Sequence, residues 1–214
     1  MIGVLGGTFD PIHFGHLRPA LELYELLGLE ELRFVPCHIP PHRGTPAVSA
    51  EHRLTMVERA IVGVSGFQVD PREILRPGPS YTVDTLLEVR REVGPGLPLV
   101  LLMGADAFAG LPSWYRWREI LGLANLVVAQ RPGDAARPSA TWLDAASVVD
   151  SPTALRARAS GKVLFQPVTQ LDISATRIRA CLSAGRSARY LLPDDVCEYI
   201  AEHALYHHEN EESE

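Results

Sequence analysis

Apolar residues along the chain fall into short runs separated by stretches with a helical period. Ile2–Leu5 is an apolar run closed by Gly6-Gly7, the pattern of a buried strand ended by a tight turn. Leu17, Ala20, Leu21, Tyr24 and Leu27 then recur on one helical face, with Gly28 as the stop. Leu32–Val35 predicts a second strand ended by Pro36, and the proline-rich stretch Cys37–Pro46 predicts a loop. Glu51–Val62 reads as helix and Phe67–Val69 as strand. After the breakers at Arg76–Ser80 comes a helix carrying Val83, Leu86, Leu87 and Val93. Leu99–Met103, ended by Gly104, is the clearest strand. Trp114–Leu121 reads as helix, Leu126–Ala129 and Val163–Gln166 as strands, and about Thr176–Ser183 and Asp194–Leu205 as two closing helices.

Strands that alternate with helices predict an α/β fold: a Rossmann-like, doubly wound, mostly parallel sheet with helices on both faces. Such sheets bind ligands at the carboxyl ends of their strands, here in the loops after Leu5, Val35, Met103 and Ala129. We expect one domain over residues 1–206, its C-terminal helical part covering about 174–206, followed by an acidic, frayed tail at 207–214. The Ala-, Ser- and Pro-rich span Pro132–Gly161 reads as an insertion or small subdomain.

Composition adds exclusions. The 214 residues are 46% hydrophobic and 21% charged, ordinary for a globular protein. No apolar run approaches the roughly 20 residues of a membrane span, and the start of the chain lacks the features of a signal peptide. Cys37, Cys181 and Cys197 are scattered without disulfide or zinc spacing, which favours a reducing, cytoplasmic setting. With 20 basic and 26 acidic residues, the net charge of -6 disfavours a bulk grip on nucleic acid. Anions must be bound locally, by helix termini and a few placed cations.

Residues Gly6–His16 read GGTFDPIHFGH. Gly6 and Gly7 let the backbone turn sharply and approach a ligand, and the amides of Thr8 and Phe9 can face a phosphate. Pro11 fixes the start of a helix. His13 and His16 then project from one side of its first turn, where the dipole is positive and an imidazole can donate to phosphate oxygens. A histidine pair at this spacing can also hold a metal ion. No third ligand is identifiable, so phosphate contact is favoured over metal ligation.

This string resembles the signature of the nucleotidylyltransferase superfamily, whose HxGH motif is here His13-Phe14-Gly15-His16; its long form resembles bacterial nicotinate-mononucleotide adenylyltransferases. A second segment, ISATRIR at Ile173–Arg179, is similar to that superfamily's ISSTxxR. By itself it is a helix capped by Ser174, with Thr176 in the first turn and Arg179 nearby. The resemblance implies that Ser174, Thr176 and Arg179 contact the β- and γ-phosphates of ATP. Ala175 stands where the motif has a second Ser, one hydroxyl fewer.

Four further segments resemble the nicotinate branch: IPPHRG at Ile39–Gly44, PSYTVDTL at Pro79–Leu86, GADAFAGLPSWYRW at Gly104–Trp117 and QRPG at Gln130–Gly133. The resemblance implies that Gly104 and Asp106 hold the ATP ribose, and that His42, Arg43 and Arg131 approach the acceptor phosphate. It also implies that Trp114 stacks on the nicotinate ring within a pocket formed with Ser80 and Tyr81. There the backbone amides of Thr82 and Tyr115 receive the nicotinate carboxylate, which amide donors suit better than a carboxamide. Read without the resemblance, Trp114 can be core and Ser80–Thr82 an ordinary helix start.

The activity implied is transfer of the adenylyl group of ATP to nicotinate mononucleotide, giving nicotinate adenine dinucleotide and pyrophosphate, a step of NAD biosynthesis. His16 would meet the α-phosphate, His13 the phosphate chain, and Arg179 with the Ser174 helix start the leaving pyrophosphate. Mg²⁺ would arrive with ATP, held by phosphates and water rather than by a protein cage. The implied partners are these small molecules, with neither nucleic acid nor membrane; homo-oligomerisation stays open. Alternatives are an enzyme preferring the amide nucleotide, a pantetheine-phosphate adenylyltransferase, and a nucleotide sensor without turnover.

Overall fold

The computed structural model describes residues 1–41, 44–130 and 141–207. Among them, seven strands form one sheet: β1 (Ile2–Gly7), β2 (Glu31–Pro36), β3 (Phe67–Val69), β4 (Leu99–Gly104), β5 (Asn125–Gln130), β6 (Val148–Val149) and β7 (Val163–Pro167). Their order is β3-β2-β1-β4-β5-β7-β6, and every pairing is parallel. The helices are α1 (Phe14–Leu27), α2 (Ala50–Ile61), α3 (Arg72–Leu75), α4 (Thr82–Val93), α5 (Ala105–Ala109), α6 (Trp117–Leu123), α7 (Pro152–Arg156), α8 (Ala175–Ser183) and α9 (Asp194–Glu202). None of them is long and apolar enough to cross a membrane.

The side-chain alternation of a strand divides the core in two. Leu32 and Phe34 of β2, Val100 and Leu102 of β4 and Val127 of β5 face α1, α2, α8 and α9, through Leu23, Leu27, Met56, Val57, Ile178 and Val196. Their neighbours Ile2, Val4, Leu99, Leu101, Leu126 and Val128 face α4, α5 and α6, through Val83, Leu86, Val89, Phe108 and Ile120. This is the doubly wound α/β arrangement the sequence predicts. Its central strands are buried on both faces and are therefore apolar throughout. The chain winds outward from β1 to β3, then returns to place β4 on the other side of β1, so the order reverses between β1 and β4. A crevice opens at the carboxyl ends of these two strands.

The local differences from the sequence reading have physical causes. The face of α1 centres on Ala20, Leu23 and Leu27, with Leu17 and Tyr24 at its margin. The helix stops at Gly28, as expected, in a left-handed conformation with φ 54°. A helix over Trp114–Leu121 does not form as one piece. Leu111–Ser113 makes a 3-10 turn, Arg116 takes a left-handed φ of 50°, and α6 begins only at Trp117. Trp114 and Tyr115 are thereby left in the connection. The described part of Pro132–Gly161 supplies α7 and the edge strand β6, whose two residues are too few to produce a period. The closing helix ends at Glu202 rather than Leu205, with Ala204 at φ 47°.

Asn125, at the start of β5, is fully buried and ties the α7 connection to the sheet. It donates to Arg158 O (2.9 Å) and Leu155 O (3.4 Å), and its Oδ1 accepts from Lys162 N (2.9 Å). Asn125→Leu leaves these backbone groups unpaired in an apolar setting. Unfolding free energy from urea titration is expected to fall by about 2–4 kcal/mol; a loss under about 0.5 kcal/mol contradicts the tie.

Candidate active site

Both halves of the first motif lie at the carboxyl end of β1. Gly6 is exposed, with open space where a side chain would stand, whereas a Cβ on Gly7 would meet the Phe9 ring at 2.8 Å. Phe9 adopts a left-handed φ of 49° and is buried, its ring in the core. His13 caps α1 in an extended conformation and His16 follows in the first turn, their rings stacked at 3.8 Å. The His13 backbone N–H donates to His16 Nδ1 (3.3 Å), so that nitrogen is an acceptor and the ring's proton belongs on Nε2. His13 itself is buried, its Nδ1 has no hydrogen-bond partner among the described residues, and burial pushes its pKa down to about 4.

Gly15 between them is required by closeness. A Cβ there would lie 2.9 Å from the His13 ring and 3.1 Å from the carbonyl of Ile173. Ile173 opens the second motif, so the start of α1 and the segment leading into α8 touch through backbone alone. Ser174 caps α8, accepting from Arg177 N (3.3 Å). Arg179 reaches Thr176 Oγ1 at 3.5 Å and returns to the first loop, where Nη1 donates to Asp10 O at 2.7 Å. Two motifs some 160 residues apart in the chain thus meet at the crevice. Across it, Gly104 ends β4 and Asp106 lies in the first turn of α5, both exposed.

The acceptor residues assigned from sequence divide. The rings of Tyr81 and Tyr115 approach to 4.4 Å, and Arg116 pairs with Asp84 at 3.6 Å, so the start of α4 and the 114–116 connection are neighbours. Thr82 is the first residue of α4, where the amide has no partner within the helix. Trp114 is half-buried and packs on the core beneath α4 and α6. Ser80 is turned inward. It is buried, its Oγ accepts from His38 N (2.8 Å), and its N–H donates to Ile39 O (2.9 Å). His42, Arg43 and Arg131 lie outside the described residues.

Several groups that hold this geometry escaped the sequence reading. The buried Asp10 carboxylate accepts from Ala47 N (2.7 Å) and Tyr206 Oη (2.8 Å), with Arg179 alongside at 3.8 Å. Burial and the Asp10 charge push the Tyr206 phenol far above its ordinary pKa, keeping it a donor. Arg53 of α2 is 1% exposed and donates to Thr8 O (2.7 Å) and His38 O (3.2 Å), joining the loops after β1 and β2. Its signal was present: Arg53 interrupts the apolar stripe of Ala50, Val57 and Ile61, and a cation there needs buried partners. Asp10 stood inside the quoted motif, but its partners at 47 and 206 are remote and only the fold reveals them.

Comparison with known proteins agrees with this arrangement. A family model for cytidylyltransferase-like proteins matches residues 4–181. The chain is 52% identical over 207 residues to a nicotinate-nucleotide adenylyltransferase of Halorhodospira halophila, covering 96% of this chain and 94% of that one. It is 50% identical over 210 residues to one of Methylococcus capsulatus, covering 96% and 99%. The solved structure of Plasmodium falciparum nicotinic acid mononucleotide adenylyltransferase complexed with NaAD shares the fold, with a TM-score of 0.70 at 18% identity and 96% of each chain covered. Half of the residues are held in common over nearly the whole length with chains of that name, and the protein belongs to the nicotinate-nucleotide adenylyltransferase family.

Proposed function

We propose that the crevice transfers the adenylyl group of ATP to nicotinate mononucleotide, releasing pyrophosphate and forming nicotinate adenine dinucleotide. The observation that carries this reading is the meeting of the two phosphate motifs, through the Gly15–Ile173 contact and the bond from Arg179 to Asp10 O. Two helix starts and one guanidinium then converge on a single anion path. The amides that follow β1 and the start of α8 line that path, and Asp106 offers a carboxylate to the ribose hydroxyls.

The acceptor phosphate is already anionic at neutral pH, so the chemistry needs no general base. One acceptor oxygen forms a bond to the α-phosphorus as the bond to the β-phosphate oxygen breaks, and the leaving pyrophosphate carries the electron pair. The protein aligns two anions and offsets charge in the transition state. His16 is fitted to this because its Nδ1 is held by the His13 amide and its Nε2 is the donor. His13, buried and with a depressed pKa, is a neutral imidazole and adds no charge of its own. Arg179, Ser174 and Thr176 receive the β- and γ-phosphates. ATP would enter with Mg²⁺, which would offset charge on the phosphates and be held by them and by water.

On the acceptor side, the amides of Thr82 and Tyr115 receive the nicotinate carboxylate and Trp114 offers a ring face to the pyridine. Backbone N–H groups pair with both oxygens of a carboxylate but meet donor with donor at a carboxamide NH2. Acid specificity follows from this geometry.

Pyrophosphate release with MgATP should be at least about tenfold faster in kcat/KM with nicotinate mononucleotide than with its amide. Equal or reversed preference removes the Thr82–Tyr115 assignment and leaves the ATP half standing. His16→Ala should lower kcat by about 100- to 1,000-fold with an unchanged circular dichroism spectrum; a loss under about fivefold takes His16 out of the transition state. His13 supplies a pH test. Its folded pKa of about 4 lies below the unfolded value of 6.5, so between those limits the unfolded chain binds the extra proton and stability rises with pH. Acidification from pH 6.5 to 4 should cost the native protein up to about 3 kcal/mol at this site. His13→Asn should flatten that part of the profile, and an unaltered slope would show that His13 is not the group responsible.

A further inference from the structure

A buried carboxylate outside the substrate-contacting groups lies beneath the start of α4. Glu73, in the single turn of α3, is 6% exposed. The hydroxyl of Thr85, itself 2% exposed, donates to its Oε1. Ser80, also buried, stands beside the same carboxylate and lowers its pKa. Ser80 Oγ in turn accepts the His38 N–H, and Thr85 Oγ1 accepts from Arg76 Nη2 at 3.3 Å. Burial pushes the Glu73 carboxyl up, while the two hydroxyls and Arg76 pull it the other way.

This geometry has a direction. Ser80 and Thr85 bracket Tyr81 and Thr82, so the carboxylate that is bonded to Thr85 and lies beside Ser80 anchors the segment that begins α4. Thr85 N also donates to Tyr81 O (3.2 Å), closing the first turn. With Thr85 anchored to Glu73 and Ser80 to His38, the segment is restrained at both ends, and the free amides at the helix start keep one orientation. A carboxylate suits this role because either of its oxygens accepts the Thr85 hydroxyl, whereas a carboxamide has one acceptor oxygen and two donors. The bracket reaches no residue of the first motif directly, so its effect should be confined to the acceptor.

We infer that Glu73 is a positioning residue for acceptor selection: by holding Thr85, beside Ser80, it fixes the Tyr81–Thr82 backbone against the nicotinate carboxylate and so sets the preference for acid over amide. This rests on the reading of the α4 start as the carboxylate receiver. A merely structural buried carboxylate would alter stability and act on every substrate alike. The amide nucleotide, which cannot pair its NH2 with those amides, is the internal control.

The test measures KM and kcat for nicotinate mononucleotide, its amide and MgATP in the full-length wild type, Glu73→Ala, Glu73→Gln and Thr85→Val, with thermal melts alongside. Glu73→Ala should raise KM for the acid about tenfold, with KM for ATP and for the amide within about twofold of wild type. Glu73→Gln should recover part of the preference, and Thr85→Val should shift it in the same direction by a smaller factor. If Glu73→Ala does not fold, Thr85→Val decides, since it keeps the side-chain volume and removes one hydroxyl. Parallel changes for acid and amide, or a rise in KM for ATP, overturn the inference, as does a preserved preference in every variant. A wild type with no acid preference brings down the underlying reading of the α4 start and the inference with it. A wild type with the preference and variants that keep it bring down the role of Glu73 alone.

Discussion

The buried carboxylate of Asp10 is the tie on which the site depends. Four stretches of chain meet there: the loop after β1, the approach to α2 at Ala47, α8 through Arg179, and the segment after α9 at Tyr206. A charge taken out of water is tolerated only when it is hydrogen-bonded and paired, and here an amide and a phenol donate to it while a guanidinium lies 3.8 Å away. Arg179 also donates to the backbone carbonyl of the same residue, so its head is oriented before any phosphate arrives. An anion entering the crevice meets a cation already in place, and the reorganisation that water would require is avoided.

The two faces of the sheet divide the work. The elements assigned to the phosphates, α1 and α8, pack on one side, with Phe34, Met56 and Ile178 in their core. The elements assigned to the acceptor base, α4 and the Trp114–Tyr115 connection, pack on the other, over Val83, Leu86 and Leu111. In the proposed reaction the two substrates would approach from opposite layers and meet where the strand order reverses. Arg53 links the two sides at their base by holding the carbonyls of Thr8 and His38 together.

The sequence exposed this protein unevenly. The order and class of the major elements were legible because the apolar runs of β1, β4 and β5 and the periodic faces of α1, α2 and α4 are local features of the chain. The Ser174 cap and the Gly28 stop were legible for the same reason: each is satisfied within a turn. The irregular backbone at Arg116 was not, because a left-handed non-glycine residue is imposed by the surroundings. Nor was the inward turn of Ser80, whose partners His38 and Ile39 come from a distant segment. Motif spacing singled out the residues assigned to the chemistry. The polar groups packed around them, Asp10, Arg53 and Glu73 with the half-buried Tyr206, required the fold.

The lengths of the strands carry one more consequence. The inner strands β1, β2, β4 and β5 run to six residues each, but the outermost ones are short: three residues in β3 and two in β6. A row of unpaired amides and carbonyls at a sheet margin is a template on which a second chain can add a strand. Here each margin offers little more than a single pairing step, too short a footing for intermolecular growth. A sheet rich enough in Val and Leu to aggregate is thus terminated at both sides by its own geometry.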